Sequence, residues 1–321
     1  MLNVVVIGCG NMANGVHMPS ILKYINENGG LQVVACADIS EDKAKAFSEK
    51  YNVNEYFTDY NEMLRKIKPD IAVNLVSETT IHTVAADILN AGVHTLIEKP
   101  PGRDITEISQ ILNAAKANEN VKIMVAFNRR FAPVYLKLKE LYANKKVRHI
   151  IYNMYRINRH ERYFETTAIH AADAAKWLAG SDFSKVRIKY QNMPEKGEKV
   201  SNYYMFAEFA NGITAQINCV VSTGRTYEGC QIICDDSVYY ADFISDEDDY
   251  GIKEYSDNKL SNVITADTLC GTEYIERMGF YNEHKVFYDS VKNNLSIDAV
   301  PSTAVQSVEI CDAIKTRRNF I

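Results

Sequence analysis

Val4-Val5-Val6-Ile7-Gly8-Cys9-Gly10-Asn11-Met12-Ala13 is the stretch that decides the fold. The near-continuous apolar run ending at glycine reads as a parallel strand buried on both faces, and a helix is expected to follow it. Gly8 permits a tight turn, Gly10 lets the backbone approach a pyrophosphate, and Ala13 stands where a third glycine would let helix and strand pack closely. The helix, with Asn11 and Met12 at its start, would point free N–H groups at phosphates. Pro19 falls where this helix should continue, so a kink is expected there. Gln32 to Ala37 is a second β-rich run, stopping at Asp38, where an acidic residue would meet the ribose hydroxyls of adenosine. A carboxylate there repels a 2′-phosphate, and Ile39 and Ser40 offer no arginine to hold one. NAD is favoured over NADP.

The alternation continues outward. Helices are expected over 41–50, 59–66, 80–91 and 105–118, with Gly92 as a C′ glycine for the third. Strands are expected at 56–57, 70–76, 94–98 and 122–127. Such a repeated β-α series is the pattern of a doubly wound parallel sheet, whose ligands bind at the carboxyl ends of the strands. Gly8, Asp38, Ser77, Glu98, Lys99 and Asn128 all fall at such ends. The fifth strand runs into Leu96-Ile97-Glu98-Lys99-Pro100-Pro101-Gly102, where Pro100 restricts Lys99 to extended backbone and keeps its side chain aimed.

After Arg130 the pattern changes. A helix with apolar residues at 134, 138, 141 and 142 leads into long β runs at 148–158, 185–191, 201–210, 213–221, 229–234 and 237–244. Asn211-Gly212 is a good two-residue hairpin turn. These features predict an α/β chain of two domains: residues 1–126, a Rossmann-type dinucleotide domain, and residues 127–321, built on a mostly antiparallel open sheet. Helical patterns at 283–291 and 303–317 close the chain, and the acidic loop 245–250 reads as solvated surface.

The totals narrow the function. A length of 321 residues exceeds what one core usually supports. A hydrophobic fraction of 46% with 24% charged residues is ordinary for a soluble globular chain. The formal net charge of −5 supplies no basic field for nucleic acid. The opening lacks a basic segment followed by a long apolar one, so no signal peptide is expected, and no 18-residue apolar stretch suggests a membrane span. Seven scattered cysteines without a Cys-x-x-Cys pair argue for reduced thiols and a cytoplasmic setting. Cys230 and Cys234 read as strand residues, since no histidine or second pair completes a zinc site, and no metal is expected.

The order Gly8-Cys9-Gly10-Asn11-Met12-Ala13, Glu98-Lys99-Pro100, Asn128-Arg129-Arg130-Phe131 and His170-Ala171-Ala172-Asp173 resembles the Gfo/Idh/MocA family of nicotinamide-dependent sugar and polyol oxidoreductases, over essentially the whole chain. The resemblance implies hydride transfer between NAD(P) and a sugar, polyol or related hydroxy compound. It implies cofactor contacts from Gly8, Gly10, Asn11, Met12, Ala13, Asp38, Ser77, Thr79, His82, Glu98, Lys99 and Asn128. It makes Lys99 and His170 the catalytic candidates, and Lys99, Arg129, Tyr163, Thr166, His170 and Asp173 the candidate substrate contacts. It also implies an open sheet face that builds a homo-oligomer, a dimer or tetramer.

The residue chemistry agrees with that implication. Hydride transfer from a secondary alcohol needs a group to exchange the hydroxyl proton and a donor to polarise the oxygen, and lysine and histidine suit both tasks. His170 and Asp173, three apart in a helical segment that stops at Gly180, share one face. Arg156, Asn158, Arg159 and Arg162 cluster just ahead of that helix and offer further substrate contacts. One departure stands out: many relatives carry aspartate four residues before the histidine and glycine two before it, whereas this chain has Thr166 and Ala168. Threonine cannot carry charge. Either the substrate differs, Glu165 or Tyr163 substitutes, or catalysis is weakened. Two further readings follow: a redox-neutral NAD-dependent glycosidase, and a regulatory protein that binds NAD and a sugar without turnover.

Overall fold

The computed structural model describes residues 1–161, 164–244, 250–271 and 273–321. Two compact units make up the chain, one from Met1–Phe127 with Phe280–Val308, the other from Asn128–Gly279 with Glu309–Ile321.

In the first unit β1 (Leu2–Ile7), α1 (Met18–Asn28), β2 (Leu31–Ala37), α2 (Glu41–Tyr51), β3 (Glu55–Phe57), α3 (Tyr60–Ile67), β4 (Ile71–Asn74), α4 (Ile81–Asn90), β5 (His94–Ile97), α5 (Ile105–Ala117) and β6 (Ile123–Val125) alternate along the chain. The six strands are parallel, in the order β3-β2-β1-β4-β5-β6. The order reverses between β1 and β4, which opens a crevice at their carboxyl ends. Val4, Val5, Val6 and Ile7 are almost wholly buried, as a strand covered on both faces requires. On one face Val5, Ile7, Ala35 and Ala72 pack with Met63 and Leu64 of α3 and Val84 and Ile88 of α4. Local chemistry sets the helix starts: Asp104 accepts from the N–H groups of Thr106 and Glu107, and Asp59 from Asn61. Gly92, at φ +76°, ends α4 as expected.

The kink expected at Pro19 takes a specific form. A π turn over Ala13–His17 precedes α1, and Pro19 sits in the first turn of α1, where a missing N–H costs nothing. The wider turn carries His17 into the interior, fully buried.

In the second unit a 3₁₀ turn (Asn128–Phe131) and α6 (Pro133–Tyr142) precede β7 (Val147–Tyr155), α7 (Glu165–Ala179), β8 (Phe183–Asn192), β9 (Ser201–Phe209), β10 (Thr214–Val220), β11 (Tyr227–Cys234), β12 (Val238–Ile244), β13 (Gly251–Ser256) and β14 (Lys259–Thr265). Two short helices follow, α8 (Ala266–Leu269) and α9 (Tyr274–Arg277). The eight strands form one sheet, β14-β13-β12-β11-β7-β10-β9-β8, antiparallel except where β7 pairs with β10. Asn211-Gly212 turns β9 into β10, with Gly212 at φ +85°. The β13–β14 hairpin adds two strands beyond the runs read from sequence. Residues 245–249 of the acidic loop lie outside the described residues. Of the closing helices, α10 (Phe280–Asn293) belongs to the first unit, and α11 (Pro301–Lys315) begins there. Among the described residues no helix is long and apolar enough to cross a membrane.

Candidate functional site

The dinucleotide loop has the shape its glycines suggest. Gly8 adopts φ +95°, and a Cβ there would lie 2.7 Å from the carbonyl carbon and oxygen of Leu75. The β1 turn therefore presses directly on the exit of β4. Gly10 differs: a Cβ would meet nothing within 4 Å, so the backbone is open on that side. Asn14 closes the loop, its Nδ2 donating to the carbonyls of Cys9 at 3.1 Å and Gly10 at 3.0 Å. Asn11 and Met12 are exposed at the loop's rim, while Ala13 is buried where helix meets strand.

Asp38 follows β2 and leans onto the same loop. Its Oδ2 accepts from the Cys9 N–H at 2.9 Å and its Oδ1 from the Ser40 N–H at 2.9 Å. Each oxygen keeps a lone pair for a further donor. Across the switch point, Ser77 and Thr79 are exposed on the turn after β4, their hydroxyls 2.7 Å apart. An open backbone at Gly10, an oriented carboxylate at Asp38 and hydroxyls beyond β4 fit a dinucleotide with unphosphorylated ribose. His82 is turned elsewhere, its Nδ1 lying 3.5 Å from Glu107, which Arg103 also holds. Burial raises the Glu107 carboxyl, but the Arg103 guanidinium more than offsets this and leaves it lowered.

Lys99 follows β5 and is half-buried. The Lys99–Pro100 peptide is cis. Gly102 anchors the Pro-Pro-Gly corner, since a Cβ there would lie 2.8 Å from the Ile108 nitrogen. Glu98 turns inward, 7% exposed; its Oε2 accepts the Lys99 N–H at 2.9 Å and its Oε1 lies 2.8 Å from His17 Nε2. Burial pushes the Glu98 carboxyl up, but the His17 hydrogen bond and the nearby charges outweigh it, so it is lowered overall and stays ionised at neutral pH. His17 Nδ1 in turn lies 2.9 Å from Nε2 of His284 on α10, whose Nδ1 lies 2.9 Å from the Tyr288 hydroxyl. Among the described residues His17, Glu283 and His284 are the group whose spacing suits a cation, with donor atoms within 4.8 Å of one another. The two facing ring nitrogens already share a hydrogen bond, which makes this a hydrogen-bonded chain.

The second unit places His170 in the middle of α7, which Gly180 ends at φ +61°. Thr166 lies one turn earlier, half-buried on the same face. Asp173, 1% exposed, accepts Arg130 Nε at 2.8 Å and Nη2 at 2.5 Å, so a bidentate ion pair holds both its oxygens. Arg129 is committed likewise, with Nε and Nη2 at 3.0 and 2.9 Å from the two oxygens of Glu228, and Nη1 at 2.9 Å from Asn128 Oδ1. Asn128 donates to the Met278 carbonyl at 2.8 Å. Arg156 completes the Glu228 cluster, and Tyr152 donates its hydroxyl to the same carboxylate at 2.6 Å. Burial opposes ionisation of Glu228, yet Arg129 and Arg156 draw its carboxyl down to about 2. Arg159 pairs with Glu161 nearer the surface, and Arg162 and Tyr163 lie outside the described residues.

Sequence reasoning did not pick out Glu228, His284 or Tyr288, and it weighed Arg130 and His17 only as parts of motifs. The doublet Arg129-Arg130 at the end of a buried strand was a usable signal, because two adjacent guanidiniums beside a core demand carboxylates.

Comparison with known proteins agrees with this geometry. Residues 2–127 match the Gfo/Idh/MocA family model, described as an oxidoreductase family with an NAD-binding Rossmann fold. YceM of Salmonella typhimurium strain LT2, named as an oxidoreductase, is 23% identical over 98% of this chain and 97% of its own length. Inositol 2-dehydrogenase of the same strain is 24% identical over 52% of this chain, which spans about half of that relative (53%). Levoglucosan dehydrogenase in complex with NADH has the same fold, with a TM-score of 0.85 at 18% identity over 100% of this chain and 98% of that one. The amino-terminal domain, residues 2–127, thus matches the Gfo/Idh/MocA oxidoreductase family model, and a relative named as an oxidoreductase is similar to the chain along its whole length.

Proposed function

We propose that this protein is an NAD-dependent dehydrogenase that moves a hydride between the nicotinamide and a CH–OH carbon of a sugar, a polyol or a related hydroxy compound. The observation that carries this reading is Lys99 at the carboxyl end of β5, its peptide N–H held at 2.9 Å by the buried carboxylate of Glu98, in a sheet whose dinucleotide loop and Asp38 stand ready. NAD, when bound, supplies the hydride acceptor. Gly8, Gly10 and the first helical turn hold its pyrophosphate, and Asp38 accepts the ribose hydroxyls. Lys99 polarises the substrate oxygen and His170 exchanges its proton. The names of inositol 2-dehydrogenase and levoglucosan dehydrogenase support a polyol or sugar as the substrate class.

Arg130 and Glu228, through Asp173 and Arg129, hold the elements that present His170 and Asn128. Thr166 in place of a carboxylate favours one second reading, binding of NAD and a sugar without turnover. A panel of sugars and polyols with NAD, followed at the absorbance of reduced nicotinamide and paired with calorimetric binding, separates the two. Reduction of NAD by at least one member supports the dehydrogenase, and saturable binding with no reduction by any member supports the second reading.

A further inference from the structure

The chain of contacts behind Lys99 runs through three elements of the first unit, and its protons can be placed. Tyr288 is fully buried, and among the described residues its hydroxyl has one hydrogen-bond partner, His284 Nδ1 at 2.9 Å. A buried O–H that donated to nothing would be left desolvated and unpaired, so the hydroxyl donates and His284 Nδ1 is bare. A neutral imidazole with bare Nδ1 carries its proton on Nε2. That proton points at His17 Nδ1, 2.9 Å away, which must accept and is therefore bare as well. His17 then carries its proton on Nε2 and donates it across 2.8 Å to Glu98 Oε1. Every donor in the chain points the same way, toward Glu98.

We propose that Tyr288, His284 and His17 form a one-way hydrogen-bond relay that delivers an N–H to Glu98 and so locks its carboxylate against the Lys99 peptide, which makes all three positioning residues for Lys99. The inference rests on the reading of Lys99 as the group that meets the substrate oxygen.

Charges around the relay agree with this direction. Burial pushes His284 well below the usual histidine range, so it is neutral. Burial, with Tyr24 and Glu283 nearby, pushes Tyr288 well above the usual phenol range, so it keeps the proton it donates. Glu98 faces His17 from the π turn and the Lys99 ammonium from its own strand end. A carboxylate oxygen of Glu283 lies within 4.8 Å of a ring nitrogen of each of His17 and His284. Glu283 and the nearer Glu98 carboxylate, 2.8 Å from Nε2, are the groups that would favour an imidazolium at His17. An imidazolium would donate through Nδ1, reverse His284 and leave the Tyr288 hydroxyl without its acceptor.

Two measurements test this. In the first, ¹⁵N-histidine NMR on the full chain reads which ring nitrogen carries hydrogen, with His17→Gln and His284→Gln used to assign the two residues. The relay predicts Nε2–H with bare Nδ1 at both at neutral pH. An Nδ1–H tautomer or an imidazolium at either overturns it, and the tautomers themselves are read on the native chain. In the second, His17→Leu removes the donor to Glu98 while burial still disfavours its charge, so Glu98 takes up a proton at higher pH. The acid limb of the kcat profile should then move up by about one unit or more, a roughly tenfold loss on the acidic flank. Tyr288→Phe should move it the same way by less, and NAD affinity should stay nearly unchanged in both. A folded His17→Leu protein with a wild-type profile, alongside an inactive Lys99→Met protein, overturns the relay and leaves the function standing. Wild-type turnover in Lys99→Met overturns the function itself.

Discussion

Removing the charge of Glu228 should destabilise the second unit by an amount that depends on pH. The side chain is fully buried and faces Arg129 and Arg156, with Tyr152 as a further donor. Glu228→Gln keeps the shape and removes the charge, leaving two buried guanidiniums without a counterion, which costs about 3–5 kcal/mol. A second route gives a similar magnitude. The carboxyl falls from 4.5 to about 2 on folding, and at ~1.36 kcal/mol for each pH unit this is about 3 kcal/mol. Because the folded value lies below the unfolded one, the unfolded chain takes up the proton first as the solution is acidified. The contribution is complete above about pH 4.5 and is lost as pH falls toward about 2. Trp177, the single tryptophan, lies on α7 in this unit, so its fluorescence during urea unfolding reports the transition. Wild type should exceed Glu228→Gln by about 3–5 kcal/mol at pH 7, and the gap should shrink through the window from pH 4.5 to 2. A gap below about 1 kcal/mol at pH 7, or one that stays constant with pH, would refute the ion-triad account.

Further outcomes follow from other parts of the chain. Asp38→Ser should narrow the preference for NAD over NADP, read as the ratio of the two dissociation constants; tighter binding of NADP by the native protein would show that Asp38 is misassigned. Thr166→Asp, which adds the carboxylate that many relatives carry one turn before the histidine, should raise turnover if its absence is a defect, and unchanged kcat would mean that the substrate does not use it. The second unit exposes Phe206 on β9 and Phe320 near the carboxyl terminus, 58% and 56% accessible, and apolar surface of this kind is usually covered. Sedimentation at micromolar concentration should therefore show a dimer or tetramer, and a monomer would count against that interface.

The first unit was legible because its strands are buried on both faces, so Val4 to Ile7 and Ile71 to Asn74 read as unbroken apolar runs between helices with clear caps. The hairpin β13–β14 was not, because Lys253, Glu254, Asp257, Asn258 and Lys259 sit on a largely exposed edge and blur the alternation. The π turn left no compositional mark, since one extra residue in a helical turn changes neither its period nor its residue types over so short a span. Lys99 and His170, the proposed catalytic pair, stand out in the sequence by their motifs. What surrounds them was not: Arg129 and Arg130 look like solvent-facing arginines until Glu228 and Asp173 arrive from 99 and 43 residues away. The apolar face of α10 was visible in the sequence, but nothing local tells which unit that face will cover or that His284 will meet His17 across 267 residues.

Single-turnover reduction of NAD by the Lys99→Met protein shows whether Lys99 meets the reacting oxygen. With a substrate identified from the sugar and polyol panel, the rate should fall by ~10²–10⁴-fold, the usual contribution of a positioned acid or base. NAD affinity should stay near that of the native protein, because the proposed holders of the other end of the cofactor, residues 8–13 and Asp38, are untouched. His170→Ala should lose a similar factor, and the double variant should lose less than the product of the two if both groups serve one oxygen. A Lys99→Met protein that reduces NAD at the native rate would contradict the account and leave Lys99 as a residue of the turn after β5.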